Sequence, residues 1–185
     1  MAERPINIAG HKVGPNYPCF IIAEAGVNHN GSVERARQLI DVAAESGADA
    51  VKFQTFKAER VVTLDAPKAA YQLQNTGAAE SQYEMLRRLE LSQEAHRDLM
   101  NYCTERGILF MSTPFDEESA DFLDELGVAA FKLPSGEITN LPFITHVARK
   151  GRPLIVSTGM AYMDEVEMAL RSIAAVGNHD LVLLH

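Results

Sequence analysis

The stretch Ala50-Val51-Lys52-Phe53-Gln54-Thr55-Phe56 is an apolar run interrupted by a lysine and a glutamine, and its reading decides the fold. Side chains on a strand alternate between two faces, so Val51, Phe53 and Thr55 share one face and Lys52 and Gln54 the other. A face carrying valine and phenylalanine packs on helices. Lys52 then points the opposite way, into the interior of a curling sheet. Phe131-Lys132-Leu133 repeats the arrangement two strands later.

Outward from this run, further β-branched and aromatic runs lie at 20–25, 108–114, 129–133, 153–158 and 180–185. Each is followed by a stretch with helical periodicity, the alternation that builds a parallel sheet. Ser32, Ser92, Asn140 and Asp164 stand as expected helix N-caps, and Gly47, Gly107, Gly127, Gly151 and Gly177 as C-terminal stops. Val33, Ala36, Ile40 and Ala43, with Leu39 beside them, form the apolar stripe of the first such helix. The segment from Lys57 to Leu91 breaks the rhythm. It is polar around Gln72 to Ser81, turns helical through Tyr83 to Leu89, and is placed as a functional insertion over a strand end.

Six strands with one helix per crossover fit a doubly wound sheet or a (β/α)8 TIM barrel. The residues after the first strand, Glu24-Ala25-Gly26-Val27-Asn28-His29-Asn30-Gly31, form neither a dinucleotide fingerprint nor a P-loop. Polar residues instead sit at many strand ends, the habit of barrels. The expected fold class is therefore α/β, a (β/α)8 barrel with strands one to six in this chain, since a full barrel takes about 250 residues. Residues 1–185 read as one domain.

The chain has 185 residues, 46% hydrophobic and 23% charged, with a formal net charge of -8, which suits a globular domain and argues against nucleic acid as a partner. Only Cys19 and Cys103 occur, no signal-peptide pattern opens the chain, and no apolar stretch approaches a membrane span. The expectation is a reduced, cytoplasmic protein without a membrane anchor.

Two inward lysines require anions close by, because burying an unpaired ammonium costs several kcal/mol. Glu24 and Glu137 are the internal candidates, whether as plain counter-ions or as paired carboxylates that move protons. Alternatively, a ligand phosphate and carboxylate take the lysines at the mouth of the barrel. Ser112-Thr113-Pro114, Pro134-Ser135-Gly136-Glu137 and Ser157-Thr158-Gly159 add hydroxyls and glycine amides at three strand ends. His29 is either a loop residue or a substrate contact. His11, His96, His146 and His179 read as exposed or capping, and His185 ends the sixth strand. No His/Asp/Glu set has metal-ligand spacing.

These residues carry a resemblance. Ile21 to Gly31, Val51-Lys52-Phe53-Gln54, Ser112-Thr113-Pro114-Phe115-Asp116, Phe131 to Glu137 and Ser157-Thr158-Gly159-Met160 resemble the sialic acid synthases. The resemblance implies a transferase that condenses phosphoenolpyruvate with an N-acetylated amino sugar, such as N-acetylmannosamine, to a nine-carbon 2-keto acid and phosphate. By that resemblance Lys52, Gln54, Thr113, Lys132, Ser135 and Ser157 hold phosphoenolpyruvate, and Glu24 and Glu137 are the acid/base carboxylates. Asn28 and His29 would contact the sugar. It also implies a divalent cation, Mn2+ or Mg2+, with ligands beyond His185. Strands seven and eight, a C-terminal antifreeze-like domain and a homodimer belong to the same expectation. A Schiff-base aldolase using Lys52 or Lys132, or a non-catalytic sugar-phosphate binding module, are the rival readings.

Overall fold

The computed structural model describes residues 4–68 and 80–185. A short antiparallel hairpin, β1 (Ile6–Ile8) and β2 (His11–Val13), comes first. Six strands then alternate with helices. They are β3 (Ile22–Gly26), β4 (Ala50–Thr55), β5 (Leu109–Pro114), β6 (Phe131–Leu133), β7 (Leu154–Ser157) and β8 (Leu181–Leu184). The helices are α1 (Val33–Glu45), α2 (Ala58–Val61), α3 (Gln82–Leu89), α4 (Gln93–Glu105), α5 (Glu117–Leu126), α6 (Leu141–Ala148) and α7 (Met163–Ala175).

All ladder pairs from β3 onward are parallel, in two three-stranded half-sheets, β3-β4-β5 and β6-β7-β8. β5 and β6 pack side by side without a paired ladder. The chain is thus α/β with every expected strand in place. The polar stretch around Gln72 to Ser81 falls largely outside the described residues, but the helix expected after it is present as α3.

Local chemistry sets the helix ends. The hydroxyls of Ser32, Ser81 and Ser92 accept from the backbone N–H three residues on, and Asp116 and Asn140 cap α5 and α6 in the same way. Asp164 is not a cap: α7 begins at Met163 with Tyr162 at the N-cap position, its N–H donating to the Glu165 carboxylate at 2.8 Å. The five expected glycine stops all have positive φ, from 69° to 87°.

The main core lies between strands and helices. Val51 and Phe53 meet Ala36, Ile40, Leu99 and Phe110 there, and each fully buried large side chain contributes about 1.5–3 kcal/mol. A second cluster lies inside, at the N-terminal ends of the strands. It joins Ala50 and Met111 of one half-sheet to Ile155 of the other, around fully buried Ile8 of the hairpin. The N-terminal hairpin is therefore a plug in the floor, and His11, expected to be exposed or capping, is a strand residue placed against Phe20 and Asp49.

A candidate active site at the mouth of the strands

The inward-facing register puts Glu24 of β3 beside Lys52 of β4, and Gln54 of β4 beside Thr113 of β5. Lys52 is 7% exposed and pairs with the Glu24 carboxylate at 2.6 Å, while its ammonium also reaches the Thr113 hydroxyl at 3.4 Å. A β-bulge follows this contact: Glu24 opposes Lys52 and Gly26 opposes Phe53, leaving Ala25 without a ladder partner. Gly26 has φ +52°, and a methyl group there would stand 3.2 Å from the Glu24 carboxylate and 3.7 Å from the Gln54 amide. Glycine at this point leaves both groups their room.

Across the mouth, Lys132 of β6 is equally buried, yet its partners are neutral. Its Nζ donates to the Leu133 carbonyl at 3.0 Å and meets the Ser157 hydroxyl at 2.7 Å. Burial, then the nearby Lys52 charge, pull its pKa down to about 8, with Glu24 opposing. Ser135 comes to the same edge, its hydroxyl 3.5 Å from where a Cβ on Gly159 would stand. The structure therefore gathers Glu24, Lys52, Gln54 and Thr113 from one half-sheet with Lys132, Ser135 and Ser157 from the other.

Two expected members sit differently. Glu137 meets no lysine; one of its carboxylate oxygens accepts from the Asn140 side chain at 2.8 Å, because the 3-10 turn Ser135–Glu137 runs straight into the cap of α6. His29 is fully buried. Its Nδ1 accepts from the Gly31 N–H at 3.0 Å, its ring lies 6.1 Å from that of Phe53, and burial with the neighbouring His96 lowers its pKa to about 4. Asn28, beside it in the loop, is exposed.

Ser112 also leaves the mouth. It is completely buried on the helix side, where its hydroxyl lies 2.6 Å from that of Thr55, and Thr55 lies 2.9 Å from Nε2 of His96. The Nδ1–H of His96 donates to the Ser92 carbonyl at 2.9 Å, which leaves Nε2 to accept from Thr55 in the neutral ring. His96, expected to be exposed or capping, is 2% exposed, and burial is the main cause of its lowered pKa. His185 is exposed, with Nδ1 3.4 Å from the Thr158 hydroxyl.

The flanks of the insertion are pinned over the end of β4. Lys57 pairs with Glu90 at 3.5 Å, Glu90 accepts from the Ala58 N–H at 2.8 Å, and Arg60 pairs with Glu118. Among the described residues, no group of three His, Cys, Asp or Glu side chains stands ready to hold a metal ion. Nor is any described helix long and apolar enough to cross a membrane.

Parallel strands joined by helices, with lysines, hydroxyls and a carboxylate at one set of strand ends, define a chain of the α/β class with its chemistry at the C-terminal strand ends. Residues 39–185 match the NeuB family, and the chain belongs to it. It is 52% identical over 176 residues to N,N'-diacetyllegionaminic acid synthase of Legionella pneumophila, covering 93% of this chain and 49% of that protein. Human N-acetylneuraminate-9-phosphate synthase is 39% identical over 158 residues, 85% of this chain and 44% of that protein. The crystal structure of N-acetylneuraminic acid (sialic acid) synthetase from Leptospira borgpetersenii, in complex with citrate, superposes with a TM-score of 0.84 at 30% identity. That alignment covers 98% of this chain and 59% of the Leptospira chain. The chain spans about half the length of the curated relatives it matches.

Proposed function

We propose that this chain forms the first six strands of a (β/α)8 barrel in a cytoplasmic, homodimeric synthase. In this reading the enzyme joins phosphoenolpyruvate to an N-acetylated amino sugar, with release of phosphate. The observation that carries the reading is the convergence of Lys52, Thr113, Lys132, Ser135 and Ser157 on one mouth, with Gln54 at its side. Two ammonium groups and three hydroxyls suit a ligand with a phosphate and a carboxylate, since charge-assisted hydrogen bonds to such oxygens are the strong ones.

In the proposed reaction C3 of phosphoenolpyruvate attacks the aldehyde carbon of the open-chain sugar, water adds at C2, and phosphate leaves by C–O cleavage. Glu24, held by Lys52, is placed to exchange a proton with the ligand; Glu137 is the second carboxylate, oriented by Asn140. Asn28 is the exposed group of the first loop that meets the sugar. A divalent cation, Mn2+ or Mg2+, belongs to the proposal through the family resemblance. The described residues supply no group of three His, Cys, Asp or Glu side chains for it.

Phosphate release from phosphoenolpyruvate, with manganese and either N-acetylmannosamine or a diacetamido sugar, tests this reading. It is measured for residues 1–185 and for the chain continued to the length of its relatives. The diacetamido sugar is included because the relatives at 52% and 50% identity are both named as diacetyllegionaminic acid synthases. Silence from both chains with both sugars overturns the reading. The lowered pKa of Lys132 favours one rival, a Schiff-base aldolase. Borohydride trapping with pyruvate separates the two: a lasting adduct on Lys132 selects the aldolase.

A further inference from the structure

The two lysines of the mouth are paired unequally. Lys52 and Lys132 are both buried and face one interior, and among the described residues Lys52 takes the only carboxylate in contact with either, Glu24. Lys132 is left with a carbonyl and a hydroxyl. Among the described residues no carboxylate pairs with it: Thr113 on β5 and Ser157 on β7 are neutral, the Glu137 carboxylate is turned to Asn140 rather than to Lys132, and His185 is turned toward Thr158. Lys52, from β4, repels it, and Glu24, from β3, only partly offsets that repulsion.

An amine at this position satisfies its two polar neighbours as well as an ammonium does. It can donate to the Leu133 carbonyl and accept from the Ser157 hydroxyl, whereas the ammonium donates to both. Losing a proton therefore costs Lys132 no hydrogen bond and removes a buried like-charge repulsion. An arriving anion reverses the balance.

We propose that the mouth binds its anion together with a proton, Lys132 passing from amine to ammonium as the anion enters. The proton comes from solvent, no covalent bond forms, and the charge added by the anion is offset by the charge gained at Lys132. The inference rests on the synthase reading only for the identity of the natural anion. The depressed pKa of Lys132, about 8, places the exchange near pH 8.

Sulfate is the probe, because its charge stays constant across the relevant pH range. Calorimetric titration of the whole chain at pH 8, in two buffers of different ionisation enthalpy, is expected to show uptake of about half a proton per sulfate bound. Above pH 8 the affinity is expected to fall by about tenfold per pH unit, and below pH 7 to be flat with little uptake. Lys132→Gln abolishes the uptake, and in the unaltered chain the Lys132 side-chain NMR signal titrates near pH 8 and moves upward with sulfate. Heats independent of buffer, an affinity level to pH 9.5, or no sulfate binding each overturn the proposal. Proton-coupled binding without phosphate release in any assay sinks the synthase reading and leaves this inference standing. Phosphate release with proton-independent binding sinks the inference alone.

Discussion

Each half-sheet buries a lysine between apolar neighbours on its strand, and the two lysines end in opposite electrostatic conditions. In β3-β4-β5, Lys52 has a carboxylate at 2.6 Å, from the residue opposite it on β3. In β6-β7-β8, Lys132 has only neutral oxygens. A buried charge with its partner built in is part of the resting structure. A buried charge without one is a demand on the ligand, and it weakens the empty protein until the ligand arrives. The difference teaches that one repeated strand pattern supplies a fixed clamp on one side of the mouth and a responsive one on the other.

The largest test exchanges each lysine for methionine. Lys52→Met and Lys132→Met are both expected to reduce phosphate release by about a hundred- to a thousandfold, the scale for losing a charge-stabilising donor. Stability divides them. At pH 7 Lys132→Met removes an uncompensated charge and raises the melting midpoint measured by calorimetry, while Lys52→Met leaves a Glu24 side chain that is 57% exposed and hydrated, and moves the midpoint little. A fall in both would erase the distinction between the two halves.

Acid sharpens the comparison next. The pKa of His29 lies near 4 in the folded chain, below its ordinary 6.5, so between those values the unfolded chain binds more protons. Its contribution is complete above pH 6.5 and is lost as pH falls toward 4, on the order of 3 kcal/mol in all. His96, in the same half, acts in the same direction. Urea midpoints should decline over this window, with hydrogen exchange rising first around β3, β4 and α4. His29→Leu should flatten the profile; an unchanged slope would remove His29 from the account.

The smallest expected effect compares two glycines. Gly31 has φ +78°, and a Cβ there would stand 2.5 Å from the Arg88 carbonyl oxygen; Gly151, in the other half, has φ +71° with nothing within 4 Å. Gly151→Ala pays only for the left-handed backbone, about 1 kcal/mol, and Gly31→Ala about 2 kcal/mol or more, because a backbone group must also move. Thermal melts of the two variants check the order.

Strand order and the inward lysines were legible because alternation acts locally: Lys52 flanked by Val51 and Phe53 leaves only one buried solution. The same rule puts Met111 and Thr113 inward and Ser112 outward, so the misplacement of Ser112 was avoidable from sequence. His96 also had a signal, since Ala95, Leu99 and Cys103 share its buried helical stripe. The hairpin at the floor was announced by Ile6-Asn7-Ile8 and by its Ala9-Gly10 turn, both residues of which have positive φ. No sequence pattern foretells that Asn140 draws Glu137 aside, or that the Nδ1 of His29 turns inward to Gly31. Those outcomes depend on where neighbouring backbone atoms fall after packing.

Gly31 and Arg88 form a keyway: a main-chain oxygen occupies the space where a side chain would otherwise stand. Every residue type carries that oxygen, so the seat of α3 against the first loop tolerates drift along the helix. It fails on a single added methyl group at the slot. Variation along α3 can therefore proceed without shifting its anchorage, as long as position 31 stays bare.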